Sequence, residues 1–292
     1  MNVIPEIRDD ILFLLLAMQF INVNGKILEA GKTLIKPDDH SYRYGDGLFE
    51  TMKLMEGRIL LGGLHFERLF NGFSVLKFQI PKLFTGQGLE KEIIYLCKKN
   101  NCDKLAKIRL SVSRGSGGLY DCDEEWQYLI ECWPLDNIIN QLNENGLVID
   151  IFPDAKKSCD VFSNLKSANH LPYVVGARFA KENKLNDCLL LNVYNRICDS
   201  TIANLFWIKD KKVFTPPLSE GCIAGVMRKH LIEKLQATSY KVQEKSCQIN
   251  DLENADEVFL TNAIQGIRWV KEFRDKTFTN TITKDIYREI SL

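Results

Sequence analysis

The sequence predicts a mixed α/β protein built from two domains. Segments that read as strands and helices are interspersed without strict alternation, which argues against a plain doubly wound sheet. The chain has 292 residues, 45% hydrophobic and 26% charged, enough apolar material for a sizeable core and for one or two domains. Residues 134–146 turn polar, with Pro134, Asp136, four Asn residues and Gly146 around one short apolar pair, the composition of a linker. The expected organisation is an accessory segment over residues 1–17, a small N-terminal α/β domain over 18–133, the linker over 134–146 and a larger C-terminal domain over 147–292.

Taken in order, Ile11–Met18 is an apolar run of eight residues, too short to span a bilayer, which needs about 20. Glu6, Asp9 and Asp10 precede it, unlike the basic start of a signal peptide. Residues 1–17 therefore read as an accessory or over-long start, with Met18 a candidate initiator. Phe20–Val23 and Lys26–Leu28 flank Asn24-Gly25, a dipeptide that tolerates positive φ at both positions and predicts a hairpin. A second hairpin is expected at Glu56-Gly57, between Thr51–Met55 and Arg58–Leu61. Phe66, Leu69, Phe70, Phe73 and Leu76 recur at helical spacing over residues 65–77. A helix over Leu89–Lys99 and strands over Ile108–Ser113 and Gln127–Trp133 complete the N-terminal half. Beyond the linker, Leu147–Phe152, Cys188–Val193, Asn204–Lys209 and Glu257–Leu260 read as strands. Helices are expected over residues 171–182, with Pro172 in the first turn, over Gly225–Leu235 and over Thr281–Ile290.

Formal net charge is zero and the basic residues are scattered, which argues against nucleic acid as a partner. Nothing predicts a membrane span. The nine cysteines include no C-x-x-C pair. The apolar surroundings of Cys97, Cys132 and Cys188 predict reduced core thiols, a cytoplasmic setting and no metal site.

Several strings point to chemistry when taken in order. They are Tyr44-Gly-Asp-Gly-Leu-Phe-Glu-Thr51, His65-Phe-Glu-Arg-Leu69, Ser163-Asn-Leu-Lys-Ser-Ala-Asn-His170, Cys198-Asp-Ser-Thr-Ile-Ala-Asn-Leu-Phe-Trp207, Ala224-Gly-Val-Met-Arg228 and Ala255-Asp-Glu-Val-Phe-Leu-Thr-Asn-Ala263. Together they resemble the class IV aminotransferase family of pyridoxal-phosphate enzymes, over about residues 19–290. The resemblance implies a two-domain fold of PLP type IV, like D-amino-acid aminotransferase, with the cofactor between the domains. It also implies a small-molecule amino substrate and a homodimer.

Unaided, Lys166 is one of many lysines. The resemblance makes it the lysine that carries the cofactor, because pyridoxal phosphate needs a primary amine that can later move protons at the substrate carbon. Asp199 falls where the family has a glutamate that keeps a proton on the pyridine nitrogen, and it is one methylene shorter. Read alone, Asp199 is an Asx turn opening the next strand. The resemblance gives Arg68 to the cofactor phosphate, which a guanidinium suits by donating two parallel hydrogen bonds. It makes Gly225-Val226-Met227 a phosphate cup of helix-opening amides, closed by the turn at Asn262-Ala263. Ile223 packs on the ring, and His170 falls beside its phenolic oxygen.

Within the family, the spacing from Lys166 to Asn169 and the string Val112-Ser-Arg-Gly-Ser-Gly-Gly118 resemble the aminodeoxychorismate lyases. The Tyr-x-Arg-Pro string of branched-chain enzymes is missing at Lys107-Ile-Arg109-Leu. Phe49 stands where D-amino-acid enzymes trap a carboxylate with tyrosine. The expected substrate contacts are Tyr44, Phe49, Thr51, Lys53, Arg109 and Arg114, with Arg109 and Arg114 suited to a dicarboxylate. The resemblance thus implies release of pyruvate from 4-amino-4-deoxychorismate, a step of folate biosynthesis, or alternatively amino transfer between an amino acid and a 2-oxo acid.

Overall fold

The computed structural model describes residues 19–31, 35–121 and 126–290. The expected accessory segment over residues 1–17 lies outside them. The described chain divides into two compact units. One runs to Asn137 and takes in Ser167–Asn169, and the other holds Ile138–Lys166 and His170–Leu292. Among the described residues, no helix is long and apolar enough to cross a membrane.

The N-terminal unit is built on one antiparallel sheet. Its first hairpin, β1 (Phe20–Val23) and β2 (Lys26–Glu29), turns at Asn24 and Gly25 with φ of 51° and 80°, as a type I′ turn requires. A short helix α1 (His40–Tyr44) is capped by the Asp39 side chain and closed by Gly45 in the left-handed region. Then come β3 (Gly47–Met55) and β4 (Arg58–Ile59), joined at Glu56-Gly57, and helices α2 (Gly62–Val75) and α3 (Gly86–Lys99). Strands β5 (Leu105–Ser113) and β6 (Gln127–Pro134) complete the order β2-β1-β6-β5-β3-β4. Side chains alternate across a strand, so register sorts them into two faces. Met52, Leu54, Ile108, Leu110 and Ile130 are buried on one face, with Phe66, Leu69 and Phe73 of α2 and Leu89, Ile93 and Leu96 of α3 also in the core. The other face carries Phe49, Thr51, Lys53, Lys107, Arg109, Glu131 and Trp133. Ser167–Asn169 joins this unit: Ser167 bridges to Leu48, and the Ala168 amide donates to the Gly47 carbonyl at 2.9 Å.

The C-terminal unit begins within a 3-10 turn (Asn137–Asn140) and continues into β7 (Leu147–Lys157). The strand is longer than the sequence suggests, because a bulge between Ile151 and Lys156 breaks its alternation. There follow α4 (Leu171–Glu182), β8 (Asp187–Asn192), β9 (Ile197–Ser200), β10 (Asn204–Lys209), β11 (Lys212–Thr215) and α5 (Val226–Leu235). The rest is β12 (Val242–Glu244), α6 (Ile249–Glu253), β13 (Glu257–Asn262), β14 (Gly266–Phe273), β15 (Lys276–Thr277) and α7 (Thr281–Ile290). The sheet order is β12-β11-β10-β13-β14-β7-β8-β9, with β15 on β14, and parallel pairs β11–β12, β14–β7 and β7–β8 among antiparallel ones. This is a mixed α/β fold rather than a doubly wound one. Buried clusters of apolar side chains hold the unit. Trp207, Leu205, Val258, Val270 and Phe273 centre the larger. Phe152, Tyr173, Cys188, Leu190, Cys198 and Cys222 form the smaller, with Ile223 packed against it. Asp199 lies inside β9, opposite Leu190, and not in an Asx turn.

Candidate active site

The smaller cluster surrounds a polar centre. Asp199, at 1% exposure, extends from β9. Its Oδ2 accepts three hydrogen bonds: Lys157 Nζ at 3.1 Å, Tyr173 OH at 3.1 Å and the Ile223 amide at 3.0 Å. Its Oδ1 accepts the Cys198 thiol at 3.4 Å. Lys157, the last residue of β7 and 7% exposed, also donates to the Tyr173 hydroxyl. A buried charge is costly unless paired and hydrogen-bonded, and here both partners are. Burial, reinforced by the Asp199 charge, holds the Tyr173 phenol well above its ordinary range, so Tyr173 donates rather than ionises. The Cys198 thiol is held up in the same way, by burial and then Asp199.

Backbone contacts tie three further expected positions to this centre. Lys166 is half-buried on the loop that follows β7. Two residues before it, Asn164 donates to the carbonyls of Leu218 and Cys222 at 2.8 and 2.7 Å, and its own carbonyl accepts the Ala224 amide at 3.0 Å. The next amide along, that of Ile223, is the one on Asp199. The Ile223 carbonyl in turn accepts from Asn204 Nδ2 at 2.9 Å. The 222–225 loop is thereby fixed between the lysine loop and the carboxylate, and it runs directly into α5.

The start of α5 has Gly225 at its N-cap and no side-chain cap, while Val226, Met227 and Arg228 are buried. Uncapped first-turn amides and the helix dipole favour an anion. Gly225 has no room for a larger residue, since a Cβ there would lie 1.8 Å from Asn204 Oδ1. Arg228 is engaged by the Pro216 carbonyl at 2.8 Å and by Glu244. At the turn from β13 to β14, the Asn262 side chain accepts the amides of Ile264 and Gln265 at 3.0 and 2.8 Å, and Ala263 is half-buried. His170 caps α4 and stacks on Tyr173, with ring centroids 4.2 Å apart.

A lysine amine, a buried and oriented carboxylate, an aliphatic side chain at Ile223 and an uncapped helix start form a donor set that fits pyridoxal phosphate. Lys157 and Tyr173 are absent from the sequence expectation. Tyr173 had a faint signal, three residues after His170 and so on the same side of a helix. Lys157 had none, because the bulge in β7 hides its parity.

The other expected residues lie in the N-terminal unit. Arg68 makes a two-point pair with Glu50, Nε to Oε1 at 2.7 Å and Nη2 to Oε2, and His65 Nδ1 joins Oε2 at 2.7 Å. Burial pushes the Glu50 carboxyl up, but the Arg68 charge and the hydrogen bonds from His65 and Arg68 outweigh it and hold it down to about 2. Glu50 stands inside the Tyr44–Thr51 string without a signal of its own, although strand parity places it on the helix side of β3, with His65 and Arg68 one turn apart on α2. Arg109 lies over the Phe49 ring at 4.0 Å and donates to Ser111 at 3.1 Å. Thr51 and Lys53 stand beside Arg109 and Lys107 in register, with Lys53 buried. Arg114 is committed elsewhere: it pairs with Asp46 at 2.6 and 3.2 Å, donates to the Leu76 carbonyl at 2.7 Å and lies over Phe78. Tyr44 is exposed and meets the His40 ring edge-on.

Residues 47–273 match the family model described as amino-transferase class IV. An aminodeoxychorismate lyase of Vibrio harveyi is 29% identical over 244 residues, 81% of this chain and 86% of that protein. One of Bacillus subtilis is 26% identical over 253 residues, 85% and 84% of the two. Among solved structures, a Legionella pneumophila protein assigned as a 4-amino-4-deoxychorismate lyase superimposes with a TM-score of 0.80 at 26% identity, covering 88% of this chain and 94% of that one. The branched-chain amino acid aminotransferase of Escherichia coli reaches a TM-score of 0.83 at 20% identity, over 93% of each chain, and so shares the fold.

Proposed function

The chain belongs to the class IV aminotransferase family of pyridoxal-phosphate enzymes, and we propose that within it the protein is a 4-amino-4-deoxychorismate lyase, releasing pyruvate to give 4-aminobenzoate. The observation that carries this reading is the cationic face of the N-terminal sheet, where Lys53, Lys107 and Arg109 stand in register beside Glu131. Burial lowers the pKa of Lys107 and of Arg109 and raises that of Glu131. Cations that have lost water gain from an anionic ligand, and this substrate carries two carboxylates. Phe49, under Arg109, brings no hydroxyl of the kind that D-amino-acid enzymes use. The two lyases at 29% and 26% identity support the same choice.

Pyridoxal phosphate, when bound, supplies an electron sink for charge that develops at the substrate carbon. Lys166 would hold the cofactor through its amine, and that amine would serve as the base that takes the α-proton from the substrate and the acid that returns a proton to the departing enol. Asp199 would keep a proton on the ring nitrogen, and its Oδ1 has the weaker donor, the Cys198 thiol at 3.4 Å. Lys157, Tyr173 and the Ile223 amide fix the other oxygen and so set the plane of the carboxylate. The amides of Val226 and Met227 and the turn at Asn262-Ala263 would hold the phosphate, a role the family resemblance also gives Arg68. Ile223 and His170 would line the ring. Arg109 and Lys107, with Lys53, take the substrate carboxylates, while Arg114 holds Asp46 in place.

One pair of assays tests the reading. With aminodeoxychorismate, 4-aminobenzoate and pyruvate form in equal amounts, and amino transfer from D- or L-amino acids to 2-oxoglutarate or pyruvate is far slower. Fast, stereospecific amino transfer without 4-aminobenzoate makes the protein an aminotransferase.

A further inference from the structure

The N-terminal unit contains a second polar cluster, which the proposed reaction does not use. Cys97 lies in the last turn of α3. Cys102 follows five residues later, its amide bonded to the Cys97 carbonyl at 2.9 Å. Cys132 comes from β6, opposite Ile108. All three are buried, at 0%, 4% and 0% exposure. Their sulfurs all lie within 4.8 Å of one another, and Cys102 Sγ is 3.6 Å from Cys132 Sγ. No spacing rule in the sequence announces this trio, because a helix end, a turn and a strand from 30 residues away assemble it.

The dimensions are those of a metal centre. Three metal–sulfur bonds of about 2.3 Å spread at 120° place the sulfurs about 4 Å apart. The Cys102–Cys132 separation of 3.6 Å is close to that spacing, and the other two sulfur pairs lie within 4.8 Å. Among the described residues, the group contains no fourth His, Cys, Asp or Glu ligand atom. Structural zinc takes four ligands in a tetrahedron, so a group of three sulfurs leaves it one ligand short. Thiolates select soft cations, of which copper(I) is the most thiophilic first-row choice. An outer contact is already in place: Asn100 Nδ2 donates to Cys132 Sγ at 3.2 Å, and the same amide is fixed through its Oδ1 by the Gln19 and Phe20 backbone at 3.1 and 2.9 Å. Such outer hydrogen bonds orient ligands and spread thiolate charge.

We propose that Cys97, Cys102 and Cys132 form a three-sulfur site for one copper(I) ion. Binding breaks three S–H bonds, forms three Cu–S bonds and sends three protons to solvent; neither metal nor sulfur changes oxidation state.

The test uses the full-length protein loaded with pyridoxal phosphate, reduced and handled without oxygen. Copper(I) is supplied from a bicinchoninate competitor, and X-ray absorption reports its neighbours. One copper per chain is expected, with three sulfurs at about 2.3 Å and no nitrogen or oxygen. Cys132→Ser and, separately, Cys97→Ala weaken binding at least 100-fold, while Cys159→Ser, at a lone thiol in the C-terminal unit, leaves it unchanged. Circular dichroism of each variant checks that it is folded, and the wild-type absorption measurement stands even if one variant is not. No equimolar copper, nitrogen or oxygen neighbours, retention by both trio variants, or preference for zinc(II) at one equivalent overturns the proposal.

Discussion

Removing Lys157 isolates the link between the buried ion pair and the candidate site. In Lys157→Met, Asp199 keeps the Tyr173 hydroxyl and the Ile223 amide but loses the ammonium at 3.1 Å, with both side chains under one-tenth exposed. Breaking one side of a buried pair costs about 3–5 kcal/mol, because the remaining charge is stranded. The two surviving donors put this case near the lower end, about 3 kcal/mol. Asp199→Asn strands Lys157 in the same way and costs a similar amount. The double variant has no charge to strand, so its cost is about 3 rather than about 6 kcal/mol, a coupling near the top of the range for direct contacts. Urea unfolding of protein freed of cofactor, followed by far-ultraviolet circular dichroism, gives all four stabilities. Costs that add to within about 0.5 kcal/mol would show that the pair is not coupled, and Lys157 would then have no claim to orient Asp199.

Three further outcomes follow from the same geometry. Lys166→Ala abolishes the absorption band of lysine-bound cofactor and its fixation by borohydride, while a wild type that keeps no colour once excess pyridoxal phosphate is dialysed away removes the site altogether. Gly225→Ala drives a methyl into Asn204 Oδ1, releases the Ile223 carbonyl and weakens cofactor binding about 10-fold, one lost buried hydrogen bond being worth about 1–1.5 kcal/mol; equilibrium dialysis reads this directly. Glu50 has a folded-state pKa of about 2 against an ordinary 4.5, so the unfolded chain binds the extra proton between those values. Its stabilisation, about 3 kcal/mol, is complete above pH 4.5 and lost as the pH falls towards 2. Glu50→Gln therefore flattens the acid limb of a stability–pH curve over that window.

Local signals carried most of the fold. Asn24-Gly25 and Glu56-Gly57 are turns because their residues accept positive φ, and the spacing of Phe66, Leu69 and Phe73 is the buried side of α2. The segments that escaped are those whose pattern is cut short by polar residues. β9 holds Asp199 and Ser200 in four residues, and β14 interleaves Arg268, Lys271 and Glu272 with its apolar positions. Motifs name candidate site residues one at a time, but not their partners. Lys157 and Glu50 matter because of what lies across a strand or a bulge from them, and pairing of that kind is set by register, which composition does not encode. Arg114 shows the converse. Its string suggests a ligand for carboxylate, yet the fold satisfies its guanidinium internally with Asp46 and Leu76.

Where the family resemblance implies a glutamate, position 199 holds an aspartate fixed by its surroundings. Oδ2 is held by donors from three separate elements, and one of them, Ile223, sits on the loop that opens α5. A shorter carboxylate therefore comes with a loop tied to it, so the groups proposed for ring and phosphate are set by one hydrogen-bonded unit. Asp199→Glu adds a methylene, about 1.5 Å of reach, in a position that is 1% exposed. The carboxylate then has to leave the Ile223 amide or push the loop outward. Overpacking of this kind costs about 1–3 kcal/mol. The restored family residue is thus expected to lower stability and to weaken cofactor binding, which unfolding and dialysis of the same variant measure separately. Wild-type values in both would mean that the centre is plastic, and that the three donors on Oδ2 do not fix where the carboxylate lies.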